Sequence, residues 1–305
     1  MDWILKSKMF HTLERVPYGF ELYYLIQKNI TKSLPRDDDN FMRHIETVHR
    51  HYKKILEYFG SVEDATYFEF GGGWDLCSNL LMYAYGFGHQ NVYDLNPYAR
   101  PELINHTIDR IGSVNIPEAG RLPEKKVSTH VKGDLEGFYG IDYHAPADAR
   151  NTGLQDGSVD VVSTTSVLEH IPVEDIRSIM REVGRICHAG SVIRFQIDYQ
   201  DHYSYSDPNI NHYNFLRFDE DQWERYNPAI YYQNRLRHHD YIRLFEESGF
   251  EILEETAHVP DDAVELLESL EISPQFSRYS LDELAPIWGE FVMRPSPRAF
   301  TRRGR

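Results

Sequence analysis

From residue 61 onward, short β-rich runs alternate with amphipathic helical stretches, and this alternation restricts the possible folds more than any other feature of the chain. The strand runs are TYFEF (66–70), NVYDL (91–95), VDVVSTT (159–165), SVIRFQID (191–198) and FEILEETA (250–257). DIRSIMREVGRI (175–186) and DYIRLFEESG (240–249) repeat apolar residues at helical spacing. Pro172 opens the first of these helices with Glu174 and Asp175 in its first turn, and Gly249 closes the second as its C′ residue. A further strand is expected around Tyr143 to Ala145. A last strand, WGEFVMRP (288–295), follows the acidic helix DDAVELLESLE (261–271). Strands and helices in alternation make an α/β protein with a doubly wound, mainly parallel sheet.

Residues 1–60 read as a helical N-terminal extension. Phe41, Ile45, Val48, Tyr52, Ile55, Leu56 and Phe59 fall on one helical face, so the helix that carries them packs on the rest of the molecule. His44, His49, His51, His238 and His239 lie on predicted helices without metal spacing and read as surface residues. Cys77 and Cys187 also lack such spacing and read as reduced core thiols. The tail RPSPRAFTRRGR (294–305) is the one basic run, and residues 295–305 are expected to be disordered. With 32 Lys and Arg against 48 Asp and Glu, the net charge of −16 disfavours a nucleic-acid partner. No run of about 18 apolar residues is present to span a membrane, and MDWILKSKMF lacks the apolar core of a secretory signal, so a cytoplasmic protein is expected. Nothing in the pattern specifies an oligomeric state.

In an open α/β sheet, ligands bind beyond the carboxyl ends of the strands. There this chain places Glu69 and the turn Gly71, Gly72 and Gly73, then Asp94 and Asp148. Ser163 to Pro172 (STTSVLEHIP) and Asp198 to Asp207 (DYQDHYSYSD) follow. Glycines between a strand and a helix permit positive φ and let a ligand approach the backbone. A carboxylate closing the second strand suits a ribose diol, because it accepts two hydroxyl hydrogens. Asp148, with the Ala149 N–H beside it, lies where an adenine amino group could donate, and Glu69 could hold a cationic amino group. The nicotinamide fingerprint needs a third glycine at position 76, and Leu76 there disfavours an oxidoreductase.

The segments EFGGGWD, VYDLN, DARNTGLQDGSVDVVSTTSVLEHIP and WGEFVMRP resemble the ordered motifs of class I S-adenosylmethionine-dependent methyltransferases, over roughly residues 61–294. Within that family the chain resembles bacterial methyltransferases of polysaccharide and natural-product gene clusters, through IDYQDHYSYSDPNINHYNFLRF and YYQNRLRHHDYIRLFEESGF. The resemblance implies a seven-stranded Rossmann-like methyltransferase domain over 61–294, with an aromatic-rich insertion at about 199–236. It implies S-adenosyl-L-methionine as cofactor, held by Glu69, Gly71, Gly72, Gly73, Trp74, Asp94, Leu95, Asp148, Ala149, Thr165 and Ser166. The implied activity is methyl transfer (EC 2.1.1.-) to a small molecule, as O-methylation of a saccharide or glycosylated metabolite. The alternative is a catalytically silent methyltransferase-like binding domain.

Methyl transfer to a hydroxyl needs a base near the ends of the fourth and fifth strands, and His170 and His202 are the candidates. Each has a purely structural reading as well. No metal site is expected, although Asp198, Asp201, His202 and Asp207 could ligate a divalent cation. The aromatic residues between 203 and 232 read either as a lid over the acceptor or as a satellite core. Asn214, Arg217, Asn234 and Arg235 are the polar groups such a pocket could use.

Overall fold

The computed structural model describes residues 1–296. The chain opens with three helices, α1 (Trp3–Leu13), α2 (Gly19–Asn29) and α3 (Asp38–Phe59). There follow β1 (Thr66–Phe70), α4 (Cys77–Ala84), β2 (His89–Tyr93), α5 (Pro101–Ser113), α6 (Val131–Tyr139), β3 (Ile141–His144), β4 (Val159–Thr165), α7 (Val173–Ile186) and β5 (Cys187–Asp198). After a long irregular segment containing α8 (Glu220–Glu224) come α9 (His238–Glu247), β6 (Phe250–His258) and β7 (Trp288–Pro295). The sheet order is β3-β2-β1-β4-β5-β7-β6. β1 to β5 pair in parallel, and β7 runs antiparallel to both β5 and β6. This is the doubly wound, mainly parallel sheet that the alternation of elements predicts, with the seven strands that the resemblance implies.

Successive side chains of a strand face opposite sides of the sheet, and β1 uses both. Tyr67 joins the apolar residues of α3, α4 and α5, such as Ile55, Leu80 and Ile104. Phe68 and Phe70 join those of α7 and α9, such as Ile176, Val183 and Phe245. A third cluster joins Trp3, Phe10 and Leu13 of α1 to Tyr203, Phe215 and Trp223 of the segment after β5. The aromatic residues there do build a satellite core that binds the N-terminal helices.

Two local expectations need correction. β3 ends at His144 rather than Ala145, and β2 ends at Tyr93, which leaves Asp94 just beyond the strand. Of the five histidines read as exposed, His51 and His238 are buried. His51 lies between Val48 and Ile55 on the inner face of α3 and reaches Gln196 Oε1 at 3.3 Å. Burial and the Arg194 charge hold its pKa well below the ordinary histidine value. The His238 Nδ1 lies 3.0 Å from the Tyr199 hydroxyl. Of the tail expected to be disordered, residues 297–305 lie outside the described residues, whereas Pro295 closes β7 and the Ser296 N–H donates to the Gly249 carbonyl.

Candidate functional site

β1 and β4 are neighbours whose connections run to opposite sides, so a crevice opens at their carboxyl ends. The three glycines leaving β1 are required for three different reasons. Gly71 has φ +82°, and a Cβ there would lie 2.5 Å from a Val167 methyl group. A Cβ on Gly72 would lie 2.7 Å from Val92 Cγ1, so Gly72 is demanded by packing. Gly73 has φ +76° and open space where its Cβ would be. The helix that follows the turn begins at Cys77, because Leu76 is itself left-handed at φ 48°. Asp75 pairs instead with Arg36, Oδ2 to Nε at 2.9 Å.

A cavity of about 550 Å³ fills the crevice, lined by Gly71, Gly73, Trp74, Asp94, Leu95, Asp148, Ala149, Ser166, His170 and His202 among others. Phe20 and Tyr23 of α2, with Ala229 to Tyr232 of the segment after β5, form part of its wall. Trp74 packs between Tyr24 and Tyr98, with ring centroids 5.2 and 5.0 Å away, and forms part of the cavity wall. Gly72, Thr165 and Glu69 do not line the cavity. The Thr165 Oγ1 approaches His51 Nδ1 at 3.4 Å instead.

Glu69 lies beneath the glycine turn, accepting from Asn79 Nδ2 at 2.7 Å and from the Tyr67 hydroxyl at 3.2 Å. Burial, with a smaller contribution from the Asp94 charge, raises its pKa to about 8. It braces the turn from behind and does not line the cavity. Asp94 is 3% exposed and does reach the cavity. Burial raises its pKa to about 7, against hydrogen bonds from the Tyr143 hydroxyl and from the Gly73 and Gly72 N–H groups. A buried carboxyl facing this cavity gains from a ligand that donates hydrogen bonds to it. Asp148 is held by Arg150, Nη2 to Oδ2 at 2.6 Å, and that guanidinium also reaches Asp175 at 2.5 Å. The Arg150 hydrogen bond keeps the Asp148 carboxyl below its ordinary range.

At the other end of the cavity, the His170 and His202 rings meet edge to face with centroids 4.9 Å apart. His170 has an accessible face on the cavity, and its Nδ1 lies 2.8 Å from the Tyr232 carbonyl. Desolvation of the ring, and to a lesser degree the adjacent His202, lowers its pKa to about 4. His202 is 7% exposed, with Nε2 at 3.5 Å from Asp198 Oδ2. Beside them lies Glu169, 1% exposed, which the sequence reading missed. The available signal was a carboxylate adjoining a candidate base in LEHIP.

The alternative cation set of Asp198, Asp201, His202 and Asp207 does not converge. Asp201 accepts from Asn214 and the Tyr203 N–H, and Asp207 from the Trp3 N–H, so both serve loop structure. The polar groups expected to face an acceptor are likewise spent on the fold. Asn234 donates to the Leu168 and Ile171 carbonyls, and Arg235 to the Phe215 and Phe218 carbonyls and to Glu220. Asn214 bonds Asp201, and Arg217 is exposed.

Residues 125–195 match the profile of a methyltransferase domain, a stretch that runs through α6, β3, β4 and α7 into β5 and excludes the glycine turn and Asp94. No curated protein sequence matches the chain. Among solved structures it is similar to geranyl diphosphate C-methyltransferase from Streptomyces coelicolor A3(2), in complex with Mg2+, geranyl diphosphate and S-adenosyl-L-homocysteine. That likeness has 11% identity over 86% of this chain and 86% of that one, at a TM-score of 0.48. It is also similar to a SAM-dependent methyltransferase from Methanosarcina mazei, with 11% identity over 79% of this chain and 97% of that one, at a TM-score of 0.44.

Proposed function

We propose that the chain is an S-adenosylmethionine-dependent methyltransferase acting on a small molecule, with a hydroxyl oxygen of a saccharide or glycosylated metabolite as acceptor. The observation that carries this reading is a single cavity joining the glycine turn and Asp94 at one end to a histidine pair at the other. The match of residues 125–195 to a methyltransferase domain supports it.

In this reading the Asp94 carboxylate accepts the ribose hydroxyls, and the Asp148 and Ala149 segment borders the adenine. Gly71 and Gly73 let the methionine part approach the backbone, with Glu69 bracing the turn from behind and Trp74 walling it. Ser166, which lines the cavity after β4, borders the sulfonium together with the neighbouring Thr165 backbone. The acceptor lies toward His170, His202 and the aromatic wall of Tyr23, Tyr231 and Tyr232, whose faces suit the apolar side of a sugar ring. The acceptor oxygen attacks the methyl carbon in line as the carbon–sulfur bond breaks. The bonding pair stays on sulfur, which leaves as a neutral thioether, and the hydroxyl proton passes to a histidine. A neutral imidazole is required for this, and the low pKa of His170 provides one.

The test is calorimetric titration of the protein with S-adenosylmethionine, S-adenosylhomocysteine and NAD in parallel, followed by an acceptor screen starting from nucleotide sugars and glycans. Saturable binding of both sulfur nucleotides, with none of NAD, is expected. Binding of neither would overturn the cofactor assignment. Binding without turnover on any acceptor would favour a catalytically silent domain.

A further inference from the structure

Glu169 is among the most enclosed carboxylates of the protein, and neither of its oxygens closes a hydrogen bond. Burial and then the Asp198 charge oppose its ionisation, while the backbone N–H groups of Glu169 and Asp198 favour it. Among the described residues no lysine, arginine or histidine forms an ion pair with it. A buried carboxylate in this position requires a proton or a cation.

What surrounds it selects the cation. Glu169, His170 and His202 each offer a donor atom, and the three atoms lie within 4.8 Å of one another. The His170 Nδ1 is directed at the Tyr232 carbonyl, so it carries the hydrogen and leaves Nε2 with a free lone pair. The same carbonyl fixes the ring orientation. His202 Nε2 is buried and has no hydrogen-bond partner. Asp198 stands behind it, its own oxygens receiving the Gln200 N–H and the Tyr205 hydroxyl, and adds negative charge without filling the gap. Ligands about 2.1 Å from a common ion can be at most about 4.2 Å apart, so the three donors would close by roughly 0.6 Å on loading. Side-chain torsions can supply that.

We propose that Glu169, His170 and His202 form a binding site for one divalent first-row transition-metal ion of the zinc and iron(II) class. Two imidazole nitrogens and one carboxylate are the donor set for such ions, and three protein ligands leave coordination positions open. Those positions face the cavity, because His170 and His202 line it. The role of the ion rests on the methyl-transfer reading: it would hold the acceptor oxygen and lower the pKa of its hydroxyl so that the proton leaves to solvent, with His170 and His202 serving as ligands in place of the histidine base described above. Metal binding itself is independent of that reading.

The experiment uses untagged full-length protein stripped with a chelator and titrated with Co2+ alone. Visible absorption reports the coordination, and calorimetry with S-adenosylhomocysteine is run on the same sample. One Co2+ per chain is expected, and Glu169→Gln or His202→Ala should weaken its binding at least tenfold while far-UV circular dichroism stays unchanged. If either variant misfolds, X-ray absorption of the cobalt-loaded wild-type protein still decides the matter by showing two imidazole ligands or none. Absence of saturable one-to-one binding by folded protein would mean that a proton alone neutralises Glu169, and it would overturn the proposal. So would variants that bind as the wild type does. Cobalt binding without nucleotide binding would retain the metal site and sink the cofactor assignment, and the reverse result would do the opposite.

Discussion

Asp94 and Glu69 are two buried carboxyls on either side of one glycine turn, and their surroundings give them different work. Asp94 reaches the cavity and lacks a cationic partner among its described contacts, so Asp94→Ala removes an acceptor without orphaning a charge. A hydrogen bond to a charged group contributes about 1.5–3 kcal/mol, so S-adenosylmethionine binding should weaken roughly 10- to 100-fold by calorimetry. Glu69 has a folded-state pKa of about 8, raised from an ordinary unfolded value near 4.5. The folded state therefore holds the proton more tightly, and wild-type stability falls as pH rises from about 4.5 to about 8. Glu69→Gln keeps an acceptor for Asn79 and Tyr67 but does not ionise, so its advantage over the wild type in urea melts should grow from pH 5 to pH 9. His202→Ala should leave S-adenosylhomocysteine binding intact and lower turnover at least 100-fold once an acceptor is found. Full turnover would remove His202 from the chemistry. The positions of Asp94 and His202 could be read from the sequence because each follows a strand, β2 and β5. The direction of the Glu69 side chain was not legible, because it depends on Asn79, ten residues away on α4.

Among the elements, the turn between β1 and α4 is the most tightly specified. Gly71→Ala places a methyl group at positive φ and against Val167, so it should cost about 1–3 kcal/mol and tilt the floor of the cavity. Thermal unfolding and nucleotide titration of the same variant check both effects. The turn could be read from three consecutive glycines. The separate reasons for them could not, since Val167 follows β4 and Val92 sits on β2. Helix α3 was legible from its apolar periodicity. The burial of His51 on it was not, because histidine suits either face and only Gln196 and Thr165 decide which. The segment after β5 shows the same limit. Its aromatic density announced a core or a lid, and packing divides it between the two: Tyr203, Phe215 and Trp223 bind α1, while Tyr231 and Tyr232 face the cavity.

At the scale of the whole molecule, a cofactor that binds only the folded chain stabilises it by about 2.7 kcal/mol at 100 times its Kd. For a chain of this length that corresponds to a rise of about 4 °C in Tm. S-adenosylmethionine at that excess should raise the melting temperature by this amount in the wild type and by about 0.6–2 °C in Asp94→Ala at the same concentration; a wild-type Tm that does not move would contradict the site. The order of strands and helices, the doubly wound sheet and the glycine turn were determined by sequence alone, because periodicity and glycine φ freedom are local properties of the chain. Where the cavity closes, which carboxyl faces it, and the meeting of Glu169, His170 and His202 were decided only by tertiary structure. His202 comes from the segment after β5 and Glu169 from the turn after β4, and two strand ends become neighbours only when the sheet has formed.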